Sequence, residues 1–188
     1  MKNAVGKGEN MIKELLKGNI METSSPLVRK SLFDKWGLMD ESLLFNEDWE
    51  LWSRFALGNA SFYFDNSEQT MVLRRSHESY SRDYFKMCIY GLKVSLILNE
   101  KVNGHLYKKI IIPKINYHKR IIDELLLEML REEKLKAIEF SLKVFALTNV
   151  KRYSLYSKLF NFFPYWFCFI ISKILFGVPK LKNMIVYA

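Results

Sequence analysis

The sequence predicts an α+β chain that is mostly helical, with a short mixed region at the front and a basic helical remainder. Three observations carry this. Apolar residues recur at three- and four-residue spacing through most of the chain after Tyr84. Only two short runs have the aromatic and β-branched character of strands: Ser61-Phe62-Tyr63-Phe64 and Thr70-Met71-Val72-Leu73-Arg74, set around the turn residues Asp65-Asn66-Ser67. Charge is also unevenly shared. Residues 1–83 hold 11 Lys+Arg against 13 Asp+Glu, and residues 84–188 hold 18 against 7. With 49% hydrophobic and 26% charged residues, the 188-residue chain is globular, either one domain or a small domain with an appendage.

In chain order, Met11 to Lys17 reads as a short helix stopped at Gly18. Asn19 to Thr23 reads as an extended segment. Ser25 and Pro26 form a helix start, with a hydroxyl to cap and a proline at the first helical position. That helix is expected to turn Leu27, Val28, Leu32 and Phe33 inward and to stop near Trp36-Gly37. A loop with Asp40 and Glu41 leads to a third helix, which opens on Asn46-Glu47-Asp48 and ends at Gly58-Asn59. After the two strands, helices are expected over Tyr84–Asn99, about Lys114–Leu130 and Glu132–Leu147. No internal repeat or low-complexity segment stands out.

The triplet before the third helix carries the chemical interest. Helix N-termini have unpaired N–H groups and a dipole that favours negative charge. A carboxylate held there stays ionised at neutral pH and can accept a proton. An ordinary acidic cap would look the same in isolation.

From Thr148 onward the chain has six basic residues and no acid, and 11 of its 28 aromatics lie between Tyr153 and Tyr187. Leu159 to Ser172 is uncharged, but its 14 residues fall short of the roughly 20 that span a bilayer. Basic flanks around an aromatic, apolar segment suit an interfacial anchor on anionic lipid. The alternative is a final core helix. Cys88 and Cys168 lie far apart in apolar surroundings, which fits buried or lipid-facing thiols in a reducing compartment. The polar front has no signal-peptide core, so the expected location is cytoplasmic, peripheral at the inner face of the cell membrane.

Several pieces in order resemble a known family. They are Gly18-Asn19-Ile20 with Ser24-Ser25, Arg29-Lys30, Phe33, Trp36-Gly37 and Asp40-Glu41-Ser42-Leu43. Asn46-Glu47-Asp48-Trp49-Glu50-Leu51-Trp52-Ser53-Arg54 and Arg74-Arg75-Ser76-His77-Glu78-Ser79-Tyr80-Ser81 follow. The succession resembles the acceptor-side, carboxyl-terminal part of bacterial family 2 glycosyltransferases, which have the GT-A fold. The resemblance covers roughly residues 10–83. It implies transfer of a sugar from a nucleotide-sugar to an acceptor hydroxyl with inversion, in synthesis of a cell-surface polysaccharide or glycolipid. By similarity Asp48 is the general base and Glu47 and Trp49 contact the acceptor. His77 helps hold a divalent metal (Mn²⁺ or Mg²⁺) and the diphosphate, and Arg75 lies on the same phosphates. The spacing of Trp49 and Trp52 fits a core face as well as a stacking platform.

The family's donor half precedes these motifs and contains a nucleotide-binding β/α unit and an Asp-x-Asp metal motif, neither of which occurs here. The expected organisation is therefore an acceptor-side part at 1–83, a helical extension at 84–147 and a basic aromatic membrane-proximal tail at 148–188. Acting alone such a chain is expected to be inactive, and a separately encoded donor half is an implied partner. Two rival readings stand beside this one. The first is an inactive fragment or non-catalytic membrane-associated scaffold. The second is a basic nucleic-acid-binding protein, suggested by a pI near 9.4. Interleaved bulky apolar residues and the lack of a recognised nucleic-acid motif weigh against it. His105 and His118, without partners at metal-ligand spacing, read as surface or helix-end residues.

Overall fold

A computed structural model describes residues 6–64 and 83–164. It is α+β and mostly helical, and it divides into two compact units, residues 1–118 and 119–188. The boundary falls inside a helix, whereas the charge composition changes near Asp83.

In the first unit, strand β1 (Gly6–Lys7) pairs antiparallel with strand β2 (Ser61–Phe62), Gly6 opposite Phe62 and Lys7 opposite Ser61. Gly6–Lys7 carries no strand signal in the sequence, because neither residue favours a pleated surface. The run from Thr70 to Arg74 lies outside the described residues. Helix α1 (Glu9–Lys17) begins two residues before the expected start and buries Met11, Leu15 and Leu16 along one face.

Helix α2 (Lys30–Trp36) departs from expectation. It starts four residues after Pro26, and none of its residues is buried. Leu27, expected inside, is fully exposed. The cause is local: Ser25 donates both its amide and its hydroxyl to Glu22 O, at 3.0 and 2.9 Å, so the intended cap closes a turn instead. Phe33 does meet Phe55 edge-on at a centroid distance of 5.5 Å. Helix α3 (Glu47–Leu57) is the centre of this unit, with Trp49, Leu51, Trp52, Phe55 and Ala56 buried. At its end Gly58 lies under the Trp36 indole, where an added Cβ would come within 2.3 Å of the ring.

Helix α4 (Tyr84–Lys101) is capped by Asp83, whose carboxylate accepts from Lys86 N at 3.0 Å. Helix α5 (His105–Glu132) begins nine residues before the expected Lys114 and runs through Pro113. A proline inside a helix costs about 3 kcal/mol through its lost hydrogen bond and ring clash. Burial of an apolar side chain returns about 1.5–3 kcal/mol, and Ile111 and Ile115 on either side are both buried. The proline itself is exposed. The apolar periodicity placed the start at about Lys114, whereas the helix opens at His105.

The second unit contains the end of α5 with helices α6 (Lys134–Thr148) and α7 (Lys151–Phe162). Helices α6 and α7 form a hairpin turned by Asn149, which takes the left-handed conformation at φ 53°. Its core includes Ile122, Leu126, Leu130, Ala137, Val144, Tyr153 and Phe160. Arg152 bonds Asp123 at 2.7 Å. Burial pushes the Asp123 carboxyl up to about 7 against the pull of that guanidinium. Among the described residues no helix is long and apolar enough to cross a membrane.

Candidate functional site

Asp48 sits in the first turn of α3, and the chain reaches it from three directions. Asn46 enters the helix in the left-handed conformation at φ 59°, a geometry that asparagine tolerates better than most residues. Its side-chain amide donates to Met87 O at 3.2 Å and so ties the start of α3 to α4. The segment after α1 then supplies two donors to Asp48 Oδ2: Asn19 Nδ2 at 2.8 Å and Thr23 Oγ1 at 2.8 Å. Asp48 Oδ1 accepts from the Trp49 amide at 2.7 Å. Each carboxylate oxygen has about two lone-pair sites. Among the described residues the donors fill both sites of Oδ2 and leave one on Oδ1. Oδ1 is thus the atom of Asp48 with capacity to accept a proton from a bound hydroxyl. The residue is 8% exposed, so the polar groups around it replace most of its water.

Trp49 is 2% exposed, with its indole N–H donating to Leu15 O at 2.6 Å. The ring is a strut between α1 and α3, and Lys114 Nζ stands 5.7 Å from its centroid. Glu47, beside Asp48 in the chain, is partly exposed. Arg75 and His77 lie outside the described residues. Among the described residues no three His, Cys, Asp or Glu side chains converge to hold an ion.

Sequence reasoning passed over the strongest electrostatic feature nearby. Glu50 is 2% exposed and pairs with Arg54 at 2.9 Å and Lys101 at 2.6 Å. Burial alone would raise its pKa, but hydrogen bonds from Arg54 and Lys101 outweigh that, and the carboxyl is held below its ordinary value. Arg54 also donates to the carbonyls of Trp36 and, at 2.7 Å, Leu38. One carboxylate thereby fixes the end of α2 and the end of α4 against the helix that carries Asp48. The four-residue spacing of Glu50 and Arg54 was the available signal.

A second surprise is His118. Expected at the surface or a helix end, it is 8% exposed, and among the described residues neither ring nitrogen has a hydrogen-bond partner. It packs on α4 at Gly91, where a Cβ would come within 2.5 Å of Cε1. Burial, helped by the Lys114 charge, depresses its pKa to about 4. Lys114, half-buried between the Trp49 and Tyr117 rings, is also shifted down by burial. His105 is exposed at the first position of α5, a helix end as expected. Cys88 is buried, and burial pushes its thiol up, which makes it a poor nucleophile.

No protein-family profile matches the chain, and comparisons with curated proteins and with solved structures found no match.

Proposed function

We propose that the chain is the acceptor-side part of an inverting GT-A glycosyltransferase, with Asp48 as general base. The observation that supports this most directly is the Asp48 carboxylate at the start of α3, gripped through Oδ2 by Asn19 and Thr23 and keeping one acceptor site on Oδ1. Those donors come from 29 and 25 residues away in the chain, so the carboxylate is held by tertiary structure and not merely by its own helix. In this reading an acceptor hydroxyl approaches Oδ1, gives up its proton there and attacks the anomeric carbon of a nucleotide-sugar from the face opposite the leaving diphosphate. Glu47 lies on the acceptor side, and the buried Trp49 acts as the support behind the base. Arg75 and His77 serve the diphosphate and its divalent ion. The nucleotide cleft and remaining metal ligands come from a separately encoded donor half. The acceptor is a glycan or glycolipid of the cell surface, and the chain works at the inner face of the membrane.

The test is an Asp48→Asn replacement in the native cells beside a deletion of the whole chain. The expected result is that both lose the same cell-surface glycan. A deletion that changes the glycan while Asp48→Asn leaves it intact would overturn the catalytic assignment and favour a scaffold. Calorimetric titration of the folded chain with UDP, with and without Mn²⁺, asks whether any donor binding resides here. No binding is expected without the donor half.

A further inference from the structure

We infer that α7 docks on an anionic lipid surface, inserting Leu155 and Phe162 between headgroups while Lys151 and Lys158 pair with lipid phosphates. This rests on the membrane-surface reading above and assigns it to particular side chains. Helix α7 already has a core face: Tyr153, Tyr156, Ser157 and Phe160 are buried in the second unit. At about 100° per residue, Leu155 and Phe162 fall on a different arc, within about 20° of each other. Leu155 is 54% exposed and Phe162 is 80% exposed. A helix that has buried one apolar stripe gains nothing in folding from a second one facing water, so the second stripe points to a partner.

Charge selects that partner. Lys151 and Lys158 lie along the edge of the second stripe away from the core face, and both are exposed. No acidic residue occurs anywhere from Thr148 to Ala188. At the far end Lys134 Nζ donates to Phe163 O at 2.9 Å, adding a cation beside the last turn of α7. Between these groups runs an open groove of about 320 Å³ lined by Leu155, Lys158, Leu159, Phe162 and Phe163. Apolar rings and branches for the acyl boundary, with lysines set to one side for phosphate, are what an anionic bilayer surface selects.

The experiment is co-sedimentation of the full chain with vesicles of phosphatidylcholine alone, and with vesicles containing one part phosphatidylglycerol to two parts phosphatidylcholine. Wild type is expected to partition onto the anionic vesicles only. Leu155→Ser with Phe162→Ser is expected to weaken partition by about tenfold or more. Lys151→Gln with Lys158→Gln is expected to cost about fivefold per lysine, an effect that high salt erases. Leu142→Ser, at an exposed apolar residue on α6, serves as control and is expected to bind like wild type. All replaced side chains are exposed, and circular dichroism checks that the helices persist. If folded wild type ignores both vesicle types, the membrane-surface reading fails and the docking assignment with it. If wild type binds but the Leu155/Phe162 variant binds equally well, only the α7 assignment is overturned. A variant that loses self-association in ultracentrifugation yet keeps its lipid binding would assign the stripe to a second copy of the chain and overturn it as well.

Discussion

His118 makes the clearest case for what a single buried side chain costs. Its folded pKa of about 4 lies below the ordinary 6.5, so the unfolded chain takes up the proton first as pH falls. The contribution of His118 to stability is therefore full above 6.5 and declines as pH drops toward 4. Between pH 7 and pH 5 this one residue should cost about 2 kcal/mol. Urea melts at the two pH values check it: relative to wild type, His118→Leu should gain about 2 kcal/mol on going from pH 7 to pH 5, the opposite contribution of the raised Asp123 carboxyl being common to both proteins. Asp48 shows the opposite use of burial. Three donors on its two oxygens make a carboxylate comfortable with almost no water. The acidic triplet and its place at a helix start were legible in sequence, because the apolar spacing behind it marks the helix. Asn19 and Thr23 as its partners were not, since nothing local says which polar residues a loop will return to a distant carboxylate.

The helices follow the sequence where one apolar stripe meets a clear stop, and depart from it where packing or side-chain bonding competes. Helix α4, with Asp83 as cap, and helix α6 lie within two residues of expectation. Helix α2 does not, since Ser25 spent its hydroxyl on a turn, and α5 outran Pro113 because its neighbours are buried. How tightly α2 and α4 are bound to α3 can be measured. Glu50→Ala removes the shared partner of Arg54 and Lys101, and denaturant unfolding should show a loss of about 3 kcal/mol. Gly58→Ala keeps a permitted backbone but drives a methyl into the Trp36 ring. Displacing that ring should cost about 1–3 kcal/mol, read in the same melts, with a change in tryptophan emission.

At the scale of the whole molecule, the net charge of +9 is concentrated behind Tyr84, and the second unit pairs that charge with exposed leucine and phenylalanine. Nucleic acid and anionic lipid would both attract the charge, but only lipid also accepts the apolar side chains. Retention on immobilised DNA should therefore vanish by about 0.3 M salt, while binding to phosphatidylglycerol vesicles should persist beyond it. Binding to DNA that outlasts the lipid contact would reverse that order and favour the rival. The pairing of β1 with β2 has a further effect during synthesis. Gly6 and Lys7 leave the ribosome long before Ser61 and Phe62 exist, and Asn19 and Thr23 likewise precede Asp48. The nascent front of the chain must hold these groups unpaired while its partners are still being translated. The α6–α7 hairpin, by contrast, can close almost as soon as it is made. Slow codons placed between residues 23 and 61 would thus prolong a half-built state, and chaperone demand should fall on the acidic front of the protein and not on its basic, apolar end.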